Sequence, residues 1–368
     1  MNRLEEISTK LQRVRQVLAE TETAAVRLRG TDWFAWATAG GSNTVLLAAE
    51  TGVAEVLVTA TDAWILTDEI EAQRLQDEQL PQAENSPYHW FVQPWADDSQ
   101  RSNFIRDVTN GGKILSDRPS HPLESPLPTS LIEPRRVLLS SEIDRYRQVG
   151  RLATEAMTEV LTQAQPTWTE YQLAGAGAEA LWASGLEPIL TLAAGDRRLP
   201  LYRHPLPSRE PLGRQAMLVF CARKYGLVVS LTRFVFFQLM SEQDKKLHDT
   251  IADIESTVLN QSRLETPLNL IYQALAAAYE QHGYPHAIRE HHQGGTAGYA
   301  AREMIATPET HDRLAAQMIL AWNPSIPGAK IEDTFVLRSD DSLENLSLDP
   351  NFPSVEIDGR LRAVPLER

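Results

Sequence analysis

Residues 116–136, SDRPSHPLESPLPTSLIEPRR, carry five prolines. Each proline fixes its own φ and withholds a backbone donor, so neither a long helix nor an interior strand can run through this stretch. It reads as a connector that divides the chain. At 368 residues the chain exceeds what one small core usually carries, and two domains are expected. They are residues 1–138, connector included, and residues 139–368.

Upstream, the leucines of MNRLEEISTKLQRVRQVLAE recur at helical spacing among charges, which predicts an amphipathic helix over residues 3–20 rather than a signal peptide. Apolar strand-like runs follow in NTVLLAAETGVAEVLVTATDAWILTDEIEAQRL, punctuated by Gly52 and Asp62. This is the pattern of a small α/β domain. Downstream, helical patterns cover Ser141–Gln163, Thr169–Ser184, 241–261 and 267–282, with strands over 186–240 and again up to residue 338. That mixture is α+β, and the residues beyond 338, with scattered Asp and Pro, read as an irregular tail. The most apolar block, Ala216–Met240, contains Arg223, Lys224 and Arg233 and so predicts paired strands, not a membrane span.

Net charge is −14 with a pI near 5.2, which disfavours phosphate backbones and anionic membranes and leaves a small molecule or short peptide as the expected partner. The single cysteine, Cys221, excludes an intramolecular disulfide and a cysteine-rich zinc site. A buried strand thiol in a reducing, cytoplasmic setting is expected.

Five segments in order resemble one family: SSEIDRYRQVGRLATEAM, PTWTEYQLAGAGAEALWASG, HPLPSREPL, YGLVVSLTRFV and AWNPSIPGAKIEDTFVL. They are similar to the opening helix, second helix, H-x-P turn, T-R strand and E-D-T strand of the creatinase, prolidase and aminopeptidase P group. The resemblance implies a pita-bread domain preceded by an α/β domain, and commonly a homodimer whose first domain covers the partner's cleft. The aromatic run SPYHWFVQPWADD, with His89 between Tyr88 and Trp90, would be an edge strand in that role.

Peptidases of this group bind two metals through two Asp, one His and two Glu. Matching the motifs puts Val219, Ser230, Gly295, Asn323 and Glu332 at those positions, so one carboxylate remains. Neutral Asn and Ser oxygens do not offset the cost of dehydrating two dications. Nor do the adjacent His291 and His292 rescue the site, since successive side chains of an extended segment point to opposite faces and no histidine follows at i+4. No metal and no cofactor are expected.

Polar replacements nevertheless suggest a retained pocket, because unpartnered polar groups in a collapsed core cost about 1–3 kcal/mol each. His204 matches the turn histidine that metal-free members use as acid and base, with Pro205 and Pro207 fixing its backbone path. Glu332 is its expected catalytic partner, or else a structural ion pair with Arg302. Asn323, Tyr299, His292, Arg302 and Ser230 are expected to bind substrate. Gly295, beside Gly294, would admit main-chain N–H groups close to a ligand or simply form a bulge. Arg203 is an alternative anion anchor, and His248 reads as a solvated helix residue. The implied function is a metal-independent hydrolase of a C–N bond in a small amino-acid-like substrate. A non-catalytic ligand-binding member and an Xaa-Pro aminopeptidase are the alternatives.

Overall fold

The computed structural model describes residues 1–80 and 86–368. They form two compact units, residues 1–142 with the turn 225–227, and residues 143–224 with 228–368.

In the first unit the helix Arg3–Thr21 is opened by a capping box in which Asn2 and Glu5 satisfy each other's backbone N–H. Its buried Ile7, Leu11, Val14 and Leu18 recur every three or four residues, the spacing that sets one helical face against a sheet. Six strands follow: β1 (Ala25–Gly30), β2 (Thr51–Thr59), β3 (Ala63–Asp68), β4 (His89–Gln93), β5 (Ile114–Ser116) and β6 (Glu124–Pro126), arranged β4-β3-β2-β1-β5-β6. The aromatic run is an edge strand, β4, as expected. The proline-rich stretch is more than a connector. It contributes β6, parallel to β5, and the short helix Thr129–Arg136, while Asp117 accepts hydrogen bonds from Arg29 N and Gly30 N at 2.8 and 2.7 Å. Proline tolerates both places because an edge strand and a short helix leave few donors to lose.

The second unit takes most of the helix Ser140–Gln163, then Glu170–Ala183, Glu242–Gln261 and Leu268–Gln281. Capping boxes at Thr169/Gln172 and Ser241/Asp244 open two of them. Strands β7 (Glu187–Gly195), β8 (Gln215–Lys224) and β9 (Leu227–Phe236) form a sheet in which β7 and β8 are antiparallel. A second sheet, ordered β11-β10-β12-β15-β16, comprises β10 (Gly294–Ala297), β11 (Met304–Ile305), β12 (Ile319–Trp322), β15 (Asp333–Leu337) and β16 (Leu343–Asn345). The hairpin β13 (Ser325–Ile326) and β14 (Ala329–Lys330) lies between β12 and β15 in sequence.

The residues after 338 are not an irregular tail. They pair as the hairpin β17 (Ser354–Ile357) and β18 (Arg360–Ala363), and β19 (Leu366–Glu367) joins β9 in parallel, completing the order β19-β9-β8-β7. Arg362 explains why this segment is held. Its guanidinium is buried, donating to Glu255 Oε2 at 2.7 Å and to Asp333 Oδ2 at 2.6 Å, while Arg233 reaches Asp333 Oδ1 at 2.7 Å. Two guanidiniums against two carboxylates balance charge in the interior, which a buried ionic group requires. No helix of the described residues is long and apolar enough to cross a membrane.

Candidate functional site

His204 sits in the loop between β7 and β8, and the loop is pinned at its base. Glu170, fully buried at the start of its helix, accepts from Gly195 N at 2.9 Å and from Ser208 Oγ at 2.6 Å, and pairs with Arg198. Leu212 N closes the loop on Trp168 O at 2.8 Å. The His204 ring is exposed, and its Nε2 lies 2.8 Å from Nε2 of His291. At that distance the N–H of one ring donates to the lone pair of the other.

His292 completes a trio. One ring nitrogen from each of His204, His291 and His292 falls within 4.8 Å of the others. The rings of His291 and His292 stack with centroids 4.6 Å apart and planes 18° from parallel. This corrects the expectation that adjacent histidines would diverge. His291 is extended (φ −162°, ψ 147°), but it stands directly after the one-turn helix Ala287–Glu290 and β10 begins only at Gly294, so residues 291 and 292 lie outside the regular run of extended residues on which alternation rests.

Glu332 stands beside this cluster. Its carboxylate receives Lys330 Nζ at 2.9 Å, Arg302 at 2.8 Å and Thr232 Oγ1 at 2.9 Å, and its backbone carbonyl accepts from Thr232 N at 3.0 Å. Burial alone would raise this carboxyl, but Lys330 and Arg302 overcome it and hold the pKa at about 2. Lys330 was not foreseen. Its signal in AKIEDT is the two-residue spacing to Glu332, which puts both side chains on one face of an extended segment.

Two cations against one carboxylate leave one positive charge, and it acts on the histidines. Burial first, and then Lys330, lower His291 to about 2. Burial and then Arg302 lower His292 to about 4. His204 is lowered too, by burial and Lys330. All three imidazoles therefore favour the neutral form at pH 7, and in the His204–His291 contact the lone pair of one ring accepts the N–H of the other.

The other expected residues have separate settings. Ser230 joins the charged group, since Arg302 NH1 donates to its Oγ at 3.3 Å and Cys221 Sγ lies 3.4 Å away. Buried Asn323 presents an Oδ1 with no partner, as does the buried Nδ1 of His291. Tyr299 is buried at the turn that follows β10, with its N–H donating to Glu303 Oε1 at 3.0 Å. Gly295 serves packing: a Cβ there would lie 2.1 Å from Met304 O, and one on Gly294 2.2 Å from Ala321 O, so both glycines let β10 fit between β11 and β12. Arg203 lies 3.5 Å from Glu290. His248 is corrected as well. It is not solvated but set edge-on against Phe234 and Phe236, and burial lowers its pKa to about 4.

The five positions matched to metal ligands do not offer a dinuclear site. Val219 packs with Leu192, Met217 and Phe234, Gly295 has no side chain, and the Glu332 carboxylate is already engaged by two cations. Ser230 and Asn323 supply neutral oxygens only, which suit hard dications poorly.

Comparison with known proteins bears on the fold and family. Residues 144–339 match the model of metallopeptidase family M24, just over half of the chain. The sequence matches no curated protein. Among solved structures, an Xaa-Pro dipeptidase from Bacillus anthracis superposes with a TM-score of 0.76 at 15% identity, over 94% of this chain and 98% of that one. An X-Pro aminopeptidase from Thermotoga maritima MSB8 gives 0.75 at 16%, over 96% and 100%. The N-terminal domain of the FACT complex subunit SPT16 from Cicer arietinum gives 0.70 at 12%, over 94% and 96%. At such identities these likenesses establish the pita-bread architecture alone. Together with the family match, they make this chain a member of metallopeptidase family M24.

Proposed function

We propose that the chain is a hydrolase acting on a C–N bond of a small amino-acid-like substrate, with His204 as acid and base and without the metal pair. The observation that carries this reading is the 2.8 Å contact between the ring nitrogens of His204 and His291. A buried imidazole whose pKa is lowered to about 2 stays neutral, and through this contact it holds the exposed His204 ring in one orientation and one tautomer for proton transfer to and from substrate. With its pKa lowered, His204 stands in the base form at neutral pH. The excess positive charge around Lys330, Arg302 and Glu332 favours a substrate bearing a carboxylate, and Asn323 Oδ1 can accept from its N–H. The substrate is a small molecule or short peptide. The enzyme would be a homodimer of a reducing compartment, in keeping with the lone buried thiol of Cys221.

A panel of small amides, ureas, guanidines and dipeptides, Xaa-Pro peptides included, tests this reading. His204→Ala should lower kcat on the responsive substrate by about a hundredfold or more, the usual worth of an acid–base group, with an unchanged melting temperature. Unaltered kcat in that variant would remove His204 from the chemistry. One observation favours a non-catalytic binding protein instead: the Glu332 carboxylate is engaged by both Lys330 and Arg302 and is not free to act as a catalytic partner of His204. No turnover on the whole panel, with ligand binding weakened by Asn323→Ala, would favour that second reading.

A further inference from the structure

We propose that His204, His291 and His292 form a mononuclear site for a zinc-class dication, with one coordination position left open. The three residues come from two distant segments, the loop after β7 and the four residues before β10, yet one nitrogen of each lies within 4.8 Å of the other two. A tetrahedral ion with nitrogens at 2.0–2.1 Å needs ligands about 3.4 Å apart. His204 and His291 stand at 2.8 Å, so seating an ion between them asks for a widening of about 0.6 Å. The exposed His204 ring can swing outward by that much. The ring that donates in this contact then carries its proton on Nδ1, so that both Nε2 lone pairs face the ion.

The ligand set decides which ion. Three imidazoles and no carboxylate suit zinc, copper, nickel or cobalt, and discriminate against manganese, magnesium and calcium, which prefer oxygen. The positive charge left over at Lys330 and Arg302 weakens the binding of any cation at these histidines and opposes a second ion more strongly still, so occupancy stops at one. His204 and His292 are exposed, leaving the fourth position open to water or to a ligand atom. Zinc seated here takes the lone pair His204 needs as a base, so it would inhibit the hydrolase proposed above. Only that consequence rests on the proposed function; the binding does not.

The test is titration of the chelator-stripped full chain with zinc chloride, in competition with a chromophoric chelator, and in parallel with manganese chloride. One equivalent of zinc per chain is expected, with no competing manganese. Affinity should fall at least tenfold in His291→Ala and in His292→Gln, the conservative variant guarding against misfolding, with melting curves recorded for both. Cobalt should give the intense visible bands of a four-coordinate site in the wild type and lose them in the variants. Absence of zinc binding, or binding that both variants leave untouched, would overturn the site while leaving the reading of His204 as a base intact.

Discussion

Replacing Lys330 by methionine removes one of two cations from a buried carboxylate and keeps the length of the side chain. Glu332 and Lys330 are both buried, at 2.9 Å separation, and Arg302 and Thr232 remain on the carboxylate after the change. Breaking a buried ion pair from one side costs about 3–5 kcal/mol when nothing replaces the lost partner. With Arg302 and Thr232 still in place, Lys330→Met should cost less, about 2–3 kcal/mol. For a unit of this size that corresponds to a fall of about 4–12 °C in melting temperature. The assay is a double-mutant cycle, read by calorimetry or urea unfolding, over wild type, Lys330→Met, Glu332→Gln and the double variant. The double variant should be more stable than the two single costs added together predict, because each single change loses the same Lys330–Glu332 ion pair and the double variant loses it only once. A cost below about 0.5 kcal/mol for Lys330→Met, or simple additivity, would refute the view that this carboxylate is held by its cations.

Acid should act on the same group. Its folded pKa, about 2, lies below the ordinary carboxylate value of 4.5, so the stabilisation is complete above pH 4.5 and is lost as pH falls toward 2. The shift is worth about 3 kcal/mol, and Glu332→Gln should flatten the wild type's loss of stability across that window; an unchanged acid limb would contradict it. Gly295→Ala should destabilise by several kcal/mol, since its Cβ would meet Met304 O at 2.1 Å where φ is +153°; a soluble variant with wild-type melting would contradict the packing role given to that glycine.

Helical periodicity foretold the helices at Arg3–Thr21, Ser140–Gln163, Glu242–Gln261 and Leu268–Gln281 to within a few residues, because amphipathic spacing and capping residues are local. The paired strands of the Ala216–Met240 block were legible for a different reason, an apolar run broken by Arg223, Lys224 and Arg233 that cannot span a membrane. The contacts that build the site are not local. Thr232 and Glu332 are a hundred residues apart, as are Arg233 and Asp333, and no spacing within either segment announces them. Arg362 looked like part of an irregular tail because its two carboxylate partners lie elsewhere in the chain. The meeting of His291 with His204 depends on the backbone leaving a one-turn helix just before β10. Strand alternation, a sound rule inside a sheet, did not apply to that exit. The ion pair between Glu332 and Arg302 was legible as an alternative to catalysis, and Lys330 was the partner it lacked.

The central claim is that this member of the family works without the metal pair. Its most direct test is the manganese content of protein dialysed against excess manganese and then freed of unbound ion, with cleavage of an Xaa-Pro dipeptide measured on the same sample. Well under one equivalent of manganese per chain and no cleavage are predicted, because one carboxylate already engaged by Lys330 and Arg302 cannot hold two dications. Two equivalents together with turnover of the dipeptide would contradict the account.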